Sequence, residues 1–498
     1  MACTTSPQKT DASGPGSSSG IEYRLGVPTP ETAARMFDEL AYQRAVQVYL
    51  WGLPAVGMQQ YRIANAQGMG GGSDVYKVGY LGDQLKSNLL HLTGNPDSMY
   101  IDYFFDTKSG PIALEVPASL PGFIDDMWEL PVIDVIPQVS KNGKYLIVPP
   151  GWNGKEPNGF VVVRPRTYVS WMLLRGPVQQ VDGKPDTTGA VTTMRKQLKI
   201  YPVNDQGVRK TAPALQFFNM SDKQLNRVPP EGLAYFQRLA EVVSNESKSQ
   251  TDAYMMGTMH TLGIEAGKPF EPDERMQKIL TRAAETGQAM ARSIAFHGKI
   301  PGREHWPDRQ YAEAFMGGSP SFETDGRSNL DERTLFFYLA CGTSKLMAST
   351  TPGVGQAYPW AVKDAKGNTF DGGKTYKMHL PKDIPAKLYW SVTAYDTVTR
   401  SQIQNGTDFA RVSTFTQPEP NSDGSIDLYF GPTAPAGKEK NWVKTVPDQG
   451  WFFLFRLEAQ PVRRRTGSRL CLTKAGFSCS GCTARKQATL IAAGSQTT

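Results

Sequence analysis

The stretch Lys387-Leu388-Tyr389-Trp390-Ser391-Val392-Thr393-Ala394-Tyr395 alternates with a period of two, with Leu388, Trp390, Val392 and Ala394 on one face and Tyr389, Ser391, Thr393 and Tyr395 on the other. Successive side chains of an extended chain point to opposite sides. The stretch therefore reads as a half-buried strand, apolar toward a core and hydroxyl-bearing on its other face. Working outward, residues 376–380, 425–430 and 451–457 are apolar runs of strand length. Asn421-Ser422-Asp423-Gly424 before the second of these supplies residues that tolerate the positive φ of a hairpin turn. Upstream, short apolar runs cut by Pro and Gly recur at 101–105, 112–116, 145–148, 160–163, 167–174 and 198–203, which predicts a second sheet folded on itself.

Between the two strand groups the period changes. Met276, Ile279, Leu280, Ala283, Gly287, Met290 and Ile294 form a helical stripe that starts at Pro272-Asp273. A second helix is expected after Ser328, capped by its hydroxyl with Asp331 three residues on, and running through Leu335, Phe336, Leu339 and Leu346. Near the start of the chain, Phe37, Leu40, Ala41, Ala45 and Val48 predict a core-facing helix that ends near Gly52 and Pro54. The expected class is α+β, mostly β, with two strand-rich sandwich or barrel-like domains and an intervening helical segment. The expected division is a disordered tether at 1–27, an N-terminal β-rich domain at 28–210, a helical middle segment at 211–350, a C-terminal β-sandwich domain at 351–457 and a basic, cysteine-bearing tail at 458–498.

The 498 residues include 48 Gly and 36 Pro, which favours turn-rich, strand-containing architecture over an all-helical bundle. No stretch approaches eighteen consecutive apolar residues, so no transmembrane helix is expected. The net charge of +7 looks like an invitation to nucleic acid until its location is read. Seven basic and no acidic residues lie between Pro461 and Thr498, which leaves 47 of each sign in the rest of the chain. The body is neutral, and no nucleic-acid partner is expected. Three of the five cysteines, Cys471, Cys479 and Cys482, share that tail, so the body has no disulfide framework. Met1-Ala2-Cys3 followed by a Ser/Thr/Pro/Gly spacer looks like the processed end of a bacterial lipoprotein, with Cys3 as a membrane tether, or like a chance cysteine in a disordered start.

The familiar catalytic motifs are missing. Gly68-Met69-Gly70-Gly71-Gly72-Ser73 lacks the third glycine and the preceding strand of a dinucleotide loop, and Gly373-Lys374-Thr375 reads as a turn. Neither H-E-x-x-H nor G-x-S-x-G occurs, and the five histidines are never paired at i+2 to i+4. No cofactor and no metal are expected.

Three runs resemble the bacterial family known as domain of unknown function 1254: Leu92-Thr93-Gly94-Asn95-Pro96-Asp97-Ser98-Met99-Tyr100, Gly110-Pro111-Ile112-Ala113-Leu114-Glu115-Val116-Pro117, and Gly143-Lys144-Tyr145-Leu146-Ile147-Val148-Pro149-Pro150-Gly151-Trp152. Later runs resemble its usual partner, domain of unknown function 1214: Leu380-Pro381-Lys382-Asp383-Ile384-Pro385-Ala386-Lys387, Tyr389-Trp390-Ser391-Val392-Thr393-Ala394-Tyr395-Asp396-Thr397-Val398-Thr399-Arg400-Ser401, Asp423-Gly424-Ser425 and Asn441-Trp442. The resemblance implies an exported protein of the periplasm or cell envelope, two strand-rich domains with helices between them, and room for homo-oligomerisation. It implies no known reaction. In that family the segment like Phe455-Arg456-Leu457 continues into an aromatic close. Here it runs into Glu458-Ala459-Gln460 and the basic tail, which reads as a frame-shifted translation or as a genuine partner-binding extension.

The residues singled out for chemistry are Asn95, Asp97 and Tyr100 in the first domain and Tyr395, Asp396 and Arg400 in the second. Pro96 holds Asn95 extended, so Asn95 and Asp97 are presented on a bend before a strand near Tyr100. A carboxylate beside an amide and a phenol orients a hydroxylated ligand, holds a hard cation or acts as a general base if desolvation raises its pKa, or else forms an Asx-turn. Arg400 forks onto a substrate carboxylate or locks its own turn with Asp396. Asn441 and Trp442 are expected to line a stacking surface or to be buried. The expectation is an enzyme that acts on a small polar or amphipathic molecule in an inter-domain cleft, with Asp97, Tyr100 and Arg400 catalytic and Asn95, Tyr395, Asp396, Asn441 and Trp442 binding. The alternative is a non-catalytic ligand-binding or structural envelope protein.

Overall fold

The computed structural model describes residues 20–182, 184–298, 300–304, 310–315, 318–349 and 356–458, with the backbone of Ser478–Cys479. Helix makes up 27% and strand 26%, in several sheets with no closed barrel among the described residues, so the class is α+β.

In the N-terminal unit a six-stranded sheet runs in the spatial order Gln216–Asn219, Lys77–Tyr80, Met99–Asp106, Val169–Gly176, Gly122–Asp126, Pro131–Val135. A four-stranded sheet, in the order Lys199–Pro202, Ile112–Glu115, Lys144–Ile147, Val161–Val163, packs on one of its faces. Alternation decides which side chains meet. Ile101, Tyr103 and Phe105 share a core with Met172, Leu174, Leu114, Tyr145 and Ile147 between the two sheets. Tyr100, Phe104, Phe123, Trp171 and Leu173 point the other way, into the helices. Gly122 allows the tight pairing of its strand: a Cβ there would stand 1.9 Å from the Leu173 carbonyl oxygen.

The C-terminal unit repeats this logic. Gln356–Ala357, Gly450–Glu458, Trp390–Asp396 and Arg411–Ser413 form one sheet, and Trp442–Lys444, Ile426–Gly431 and Tyr376–Leu380 belong to the sheet facing it. Trp390, Val392 and Ala394 join Trp451, Phe453, Phe455 and Leu457 in the core between them. The opposite face carries Ser391, Thr393, Tyr395, Phe452, Leu454, Arg456 and Glu458, and the half-buried strand read from 387–395 leaves its part of that face outside the core. Instead every one of these residues except Leu454 is buried, because that face is pressed against the helices and the first unit. The strand also continues past the expected boundary through Glu458.

Among the described residues six α-helices lie beside the sheets: α1 (Pro30–Gly68), α2 (Thr188–Gln197), α3 (Leu233–Asn245), α4 (Ala253–His260), α5 (Glu274–His297) and α6 (Leu330–Leu339). The expected start of α5 holds, since the Asp273 side chain accepts from the Met276 amide. The expected stop of α1 does not. Thr29 caps it with Pro30 at the first position, and it runs straight through Gly52 and Pro54. Gly52 marks a close approach rather than an end, because a Cβ there would lie 3.2 Å from Leu239 and from the Tyr235 hydroxyl on α3. The part of the stripe expected to face the core first, Phe37 and Leu40, is exposed, and burial begins at Ala45. Likewise α6 starts from Asn329 without a side-chain cap and stops at Leu339, short of Leu346. The chain leaves it because the amides of Gly342 and Thr343 donate to the Glu129 and Asp125 carboxyl groups instead of continuing the ladder.

Residues 1–19 of the expected tether, with Cys3, and the CxxC of the tail lie outside the described residues, apart from a two-residue strand at Ser478–Cys479 that pairs with Tyr376 and Lys377; the rest of the expected disordered tether is not irregular, since Tyr23–Arg24 pairs antiparallel with Val27–Pro28. No described helix is long and apolar enough to cross a membrane.

Candidate functional site

The loop from His91 to Ser98 leaves the first unit and lies against the hydroxyl face of the second. Its local geometry follows from Asn-Pro-Asp. The Asn95 side-chain oxygen accepts from the Asp97 amide at 2.9 Å, which is the Asx-turn that the spacing allows. With the loop so bent, its side chains and carbonyls meet the strands of the C-terminal sheet. Asn95 donates to the Tyr389 hydroxyl at 2.8 Å, Tyr395 donates to the Gly94 carbonyl at 2.8 Å, and Arg456 donates to the Thr93 carbonyl at 2.7 Å. Asp97 is wholly enclosed. It pairs with Arg411 at 2.7 Å and accepts from the Ser413 hydroxyl at 2.9 Å. Burial pushes its carboxyl upward, against the pull of Arg411, Ser413 and Arg456.

Two adjoining chambers open beside this seam. The inner one, about 100 Å³, is walled by Trp171, Phe123, Phe315, Phe336, Leu339 and Trp360, with Arg175, Arg456, Tyr100, Tyr358 and His91 at its polar parts. The outer one, about 550 Å³, is walled by Asp97, Ser98, Tyr389, Phe415, Leu388 and Glu458 among others. Phe123, Arg175 and Met347 belong to both walls, so Arg175 stands at the partition. The placement follows from register. Arg175 is paired with Tyr100 across two strands, and both point out of the sandwich core toward the helices and the second unit. Arg456 and Glu458 do the same on the last strand of the second unit.

The electrostatics of the chambers are lopsided. Arg175 and Arg456 have no carboxylate within salt-bridge distance among the described residues. Burial opposes both charges, but neighbouring groups push both pKa values up: Tyr100, Tyr358, Glu458 and Tyr389 for Arg175, and Tyr395, Tyr100 and Tyr358 for Arg456. Both remain cations. Burial raises the Glu458 carboxyl, opposed by these same two arginines, and its oxygen accepts from Tyr389 at 3.2 Å. Burial also raises the Tyr100 phenol, which is therefore a protonated donor at neutral pH.

His91 and Cys341 meet at the inner wall, with the sulfur 3.9 Å from Nδ1. They are not a nucleophile and base. Burial, with Arg227 nearby, holds His91 down at about 3, and its Nδ1 is 3.1 Å from the Leu92 carbonyl, where it donates. Burial holds the Cys341 thiol well above its ordinary value, so it is not a thiolate.

Of the residues expected from sequence, Asn95, Tyr100 and Asp97 do reach the chambers, and Tyr395 supports the seam behind them. Arg400 does not. Its Nε donates to the Tyr338 carbonyl at 3.1 Å, its guanidinium stacks over the Tyr338 ring, and it lines neither chamber, so the expected convergence of Asp97 with Arg400 is replaced by Asp97 with Arg411. Asp396 accepts from the amides of Val398 and Thr399 and from the Thr399 hydroxyl, locking its turn. Asn441 ties the carbonyls of Glu419 and Asp427, and Trp442 donates to the Gly431 carbonyl. Neither lines a chamber. Sequence reasoning missed Arg175, Arg456, Tyr358, Tyr389 and Glu458 as site residues. A signal existed for the arginines, since each is a charge in a strand that is otherwise mostly apolar, Arg175 the single charge of Val169–Gly176 and Arg456 two residues before Glu458 in Gly450–Glu458. Among the described residues no cluster of His, Cys, Asp or Glu is arranged to hold a metal ion.

Residues 83–202 match the family model for a protein of unknown function, DUF1254, and residues 355–461 match that for a protein of unknown function, DUF1214. The first match contains the whole His91–Tyr100 loop, and the second contains the strands it docks on. Among solved structures the chain is similar to the VPA0106 protein from Vibrio parahaemolyticus, at 17% identity over 84% of this chain and 95% of that one, with a TM-score of 0.49. It is also similar to an uncharacterized protein from Burkholderia cenocepacia, at 13% identity over 87% and 94%, with a TM-score of 0.38. No curated protein matches the chain.

Proposed function

We propose, from the premise that a DUF1254 region and a DUF1214 region stand together in this chain, that the cleft between them binds a small amphipathic organic molecule. The observation that carries the reading is the pair of adjoining chambers, one walled by aromatic and aliphatic side chains and the other more polar, with groups from both units on their walls. An apolar pocket with a few convergent polar groups is the common form of a small-molecule site. Binding without chemistry is favoured over catalysis by the state of the candidate groups. Asp97 is tied to Arg411 and Ser413, His91 is neutral and donates to a carbonyl, and the Cys341 thiol is protonated. An envelope location for such a binding protein is part of the proposal and rests on the family resemblance.

The test uses a panel of alcohols, amides and acids of about four to eight carbons, sized to an apolar chamber of this order, followed by ligand-observed NMR. Wild-type protein is expected to give saturable binding. Leu339→Trp, which places an indole in the inner chamber, is expected to weaken it by about tenfold or more while circular dichroism stays unchanged. Equal signals from both proteins, or none from either, contradict the reading.

A further inference from the structure

The seam carries more positive than negative charge. Three guanidiniums, Arg175, Arg456 and Arg411, stand near two carboxylates, Asp97 and Glu458, and the Asp97 charge is engaged by Arg411. A buried charge without a close counter-ion is costly and is normally paired. Arg456 is 3% exposed, and its hydrogen bonds go to neutral oxygens only: the Thr393 and Tyr395 hydroxyls and the Thr93 carbonyl. Arg175 has still less. The one hydrogen-bond partner of its guanidinium among the described residues is the Met347 sulfur, at 3.7 Å, and the guanidinium faces the Tyr100 ring at 6.0 Å. Both arginines line the inner chamber, together with the phenol-bearing Tyr100 and Tyr358 and the amide-bearing Asn95.

We propose that the inner chamber is a site for a small amphipathic carboxylate, with its head group between Arg175 and Arg456 and its apolar tail among Trp171, Phe315, Phe336 and Leu339. The inference rests on the cleft-binding reading above and specifies the class of ligand for that same cleft. Guanidinium presents parallel N–H donors that match the two oxygens of a carboxylate, and Tyr100 adds a neutral donor beside them. A monoanion balances the single excess positive charge of the five groups, whereas a phosphate dianion would overshoot it. Beyond the head group the walls turn to aromatic rings and Leu335, Leu339 and Leu454, so the rest of the ligand is hydrocarbon. A chamber of about 100 Å³ suits a short chain or a single ring. The route in is the outer chamber. Met347 and Arg175 form part of the shared wall, and an unbranched thioether is the kind of side chain that yields by rotation.

Titration calorimetry on the full chain tests this with two probes of the same length, hexanoate and hexanamide. Hexanoate is expected to bind about tenfold or more tightly than hexanamide, as charge-assisted hydrogen bonds require. Arg175→Gln is expected to remove that preference, so that the variant binds hexanoate no more than about twofold more tightly than hexanamide, with Arg175→Lys recovering part of the difference. Arg175 is half-buried and holds no ion pair among the described residues, so its substitution is compatible with folding, and Arg456→Gln is the second variant. Equal affinities for the two probes, or a loss that affects both probes alike, overturn the carboxylate assignment and leave the cleft reading standing. Failure of both probes to bind in the millimolar range overturns the cleft reading itself.

Discussion

Arg411→Met is expected to lower the free energy of the unfolding transition that parts the two units by about 3–5 kcal/mol, the usual cost of removing one partner from a buried ion pair. The pair is Asp97, on the loop of the first unit, with Arg411, on the strand Arg411–Ser413 of the second, and both side chains are almost fully enclosed. Methionine keeps much of the arginine stem's volume but leaves the carboxylate among the Ser413 hydroxyl and the strand of Ser391 with no cation in contact. Burial already drives that carboxyl upward, and Arg411 is the largest opposing influence, so in the variant Asp97 takes up a proton at a higher pH than in wild type. Asp97→Asn alone is expected to be comparably destabilising, because it strands Arg411. The double variant should recover most of the loss, since two neutral groups leave no orphan charge. Guanidinium unfolding followed by tryptophan fluorescence reads all four corners of the cycle. Additive losses would show that the two residues do not act as a pair.

The second large effect is set by pH. Glu129 sits in the turn after Gly122–Asp126, 2% exposed, accepting from the Gly342 amide. Burial pushes its pKa up to about 8, against the opposing influence of that hydrogen bond and of Arg333. In the unfolded chain the carboxyl releases its proton near 4.5. Between those values the folded protein holds a proton that the unfolded chain has lost, so stability falls as pH rises from about 4.5 to about 8 and levels off above. Glu129→Gln removes this dependence while an amide oxygen still accepts from Gly342. The variant is expected to match wild type near pH 5 and to exceed it near pH 9 by a few kcal/mol, at about 1.4 kcal/mol per unit of pKa. The His91 contribution runs the other way and on the acid side. Its folded value is depressed to about 3 from 6.5, so the stability it confers is complete above 6.5 and lost as pH falls toward 3. That contribution cancels when wild type and variant are compared at one pH. A constant difference between the two proteins across the range would contradict the burial of Glu129.

Both effects arise where alternation alone could not see. The pattern of 387–395 identified which residues share a face, and the apolar face does lie in the sandwich core. It could not say what covers the hydroxyl face, because period two describes one strand and not its tertiary neighbours. Asn95-Pro96-Asp97 was legible as a bend, and the Asx-turn is there. That the same Asp97 carries the inter-unit ion pair depends on Arg411, more than three hundred residues away, which local spacing does not reveal. Arg400 shows the opposite failure. Its nearness in sequence to Asp396 suggested a fork over a carboxylate, but its backbone is left-handed at φ 58° and its guanidinium turns away to the Tyr338 carbonyl. Gly52-Leu53-Pro54 signalled a helix end by local chemistry, and tertiary packing against α3 overrode it. Arg175 and Arg456 were the readable clue left unused. A guanidinium on the inward face of a mostly apolar strand, 3% exposed in the case of Arg456, normally has a partner.

A crystal of the full chain soaked with 4-bromobutyrate and measured at the bromine absorption edge locates the ligand directly. One anomalous peak is expected in the inner chamber among Trp171, Phe315 and Phe336, with carboxylate density bridging Arg175 and Arg456. A peak on the surface, or carboxylate density away from both arginines, would contradict this placement.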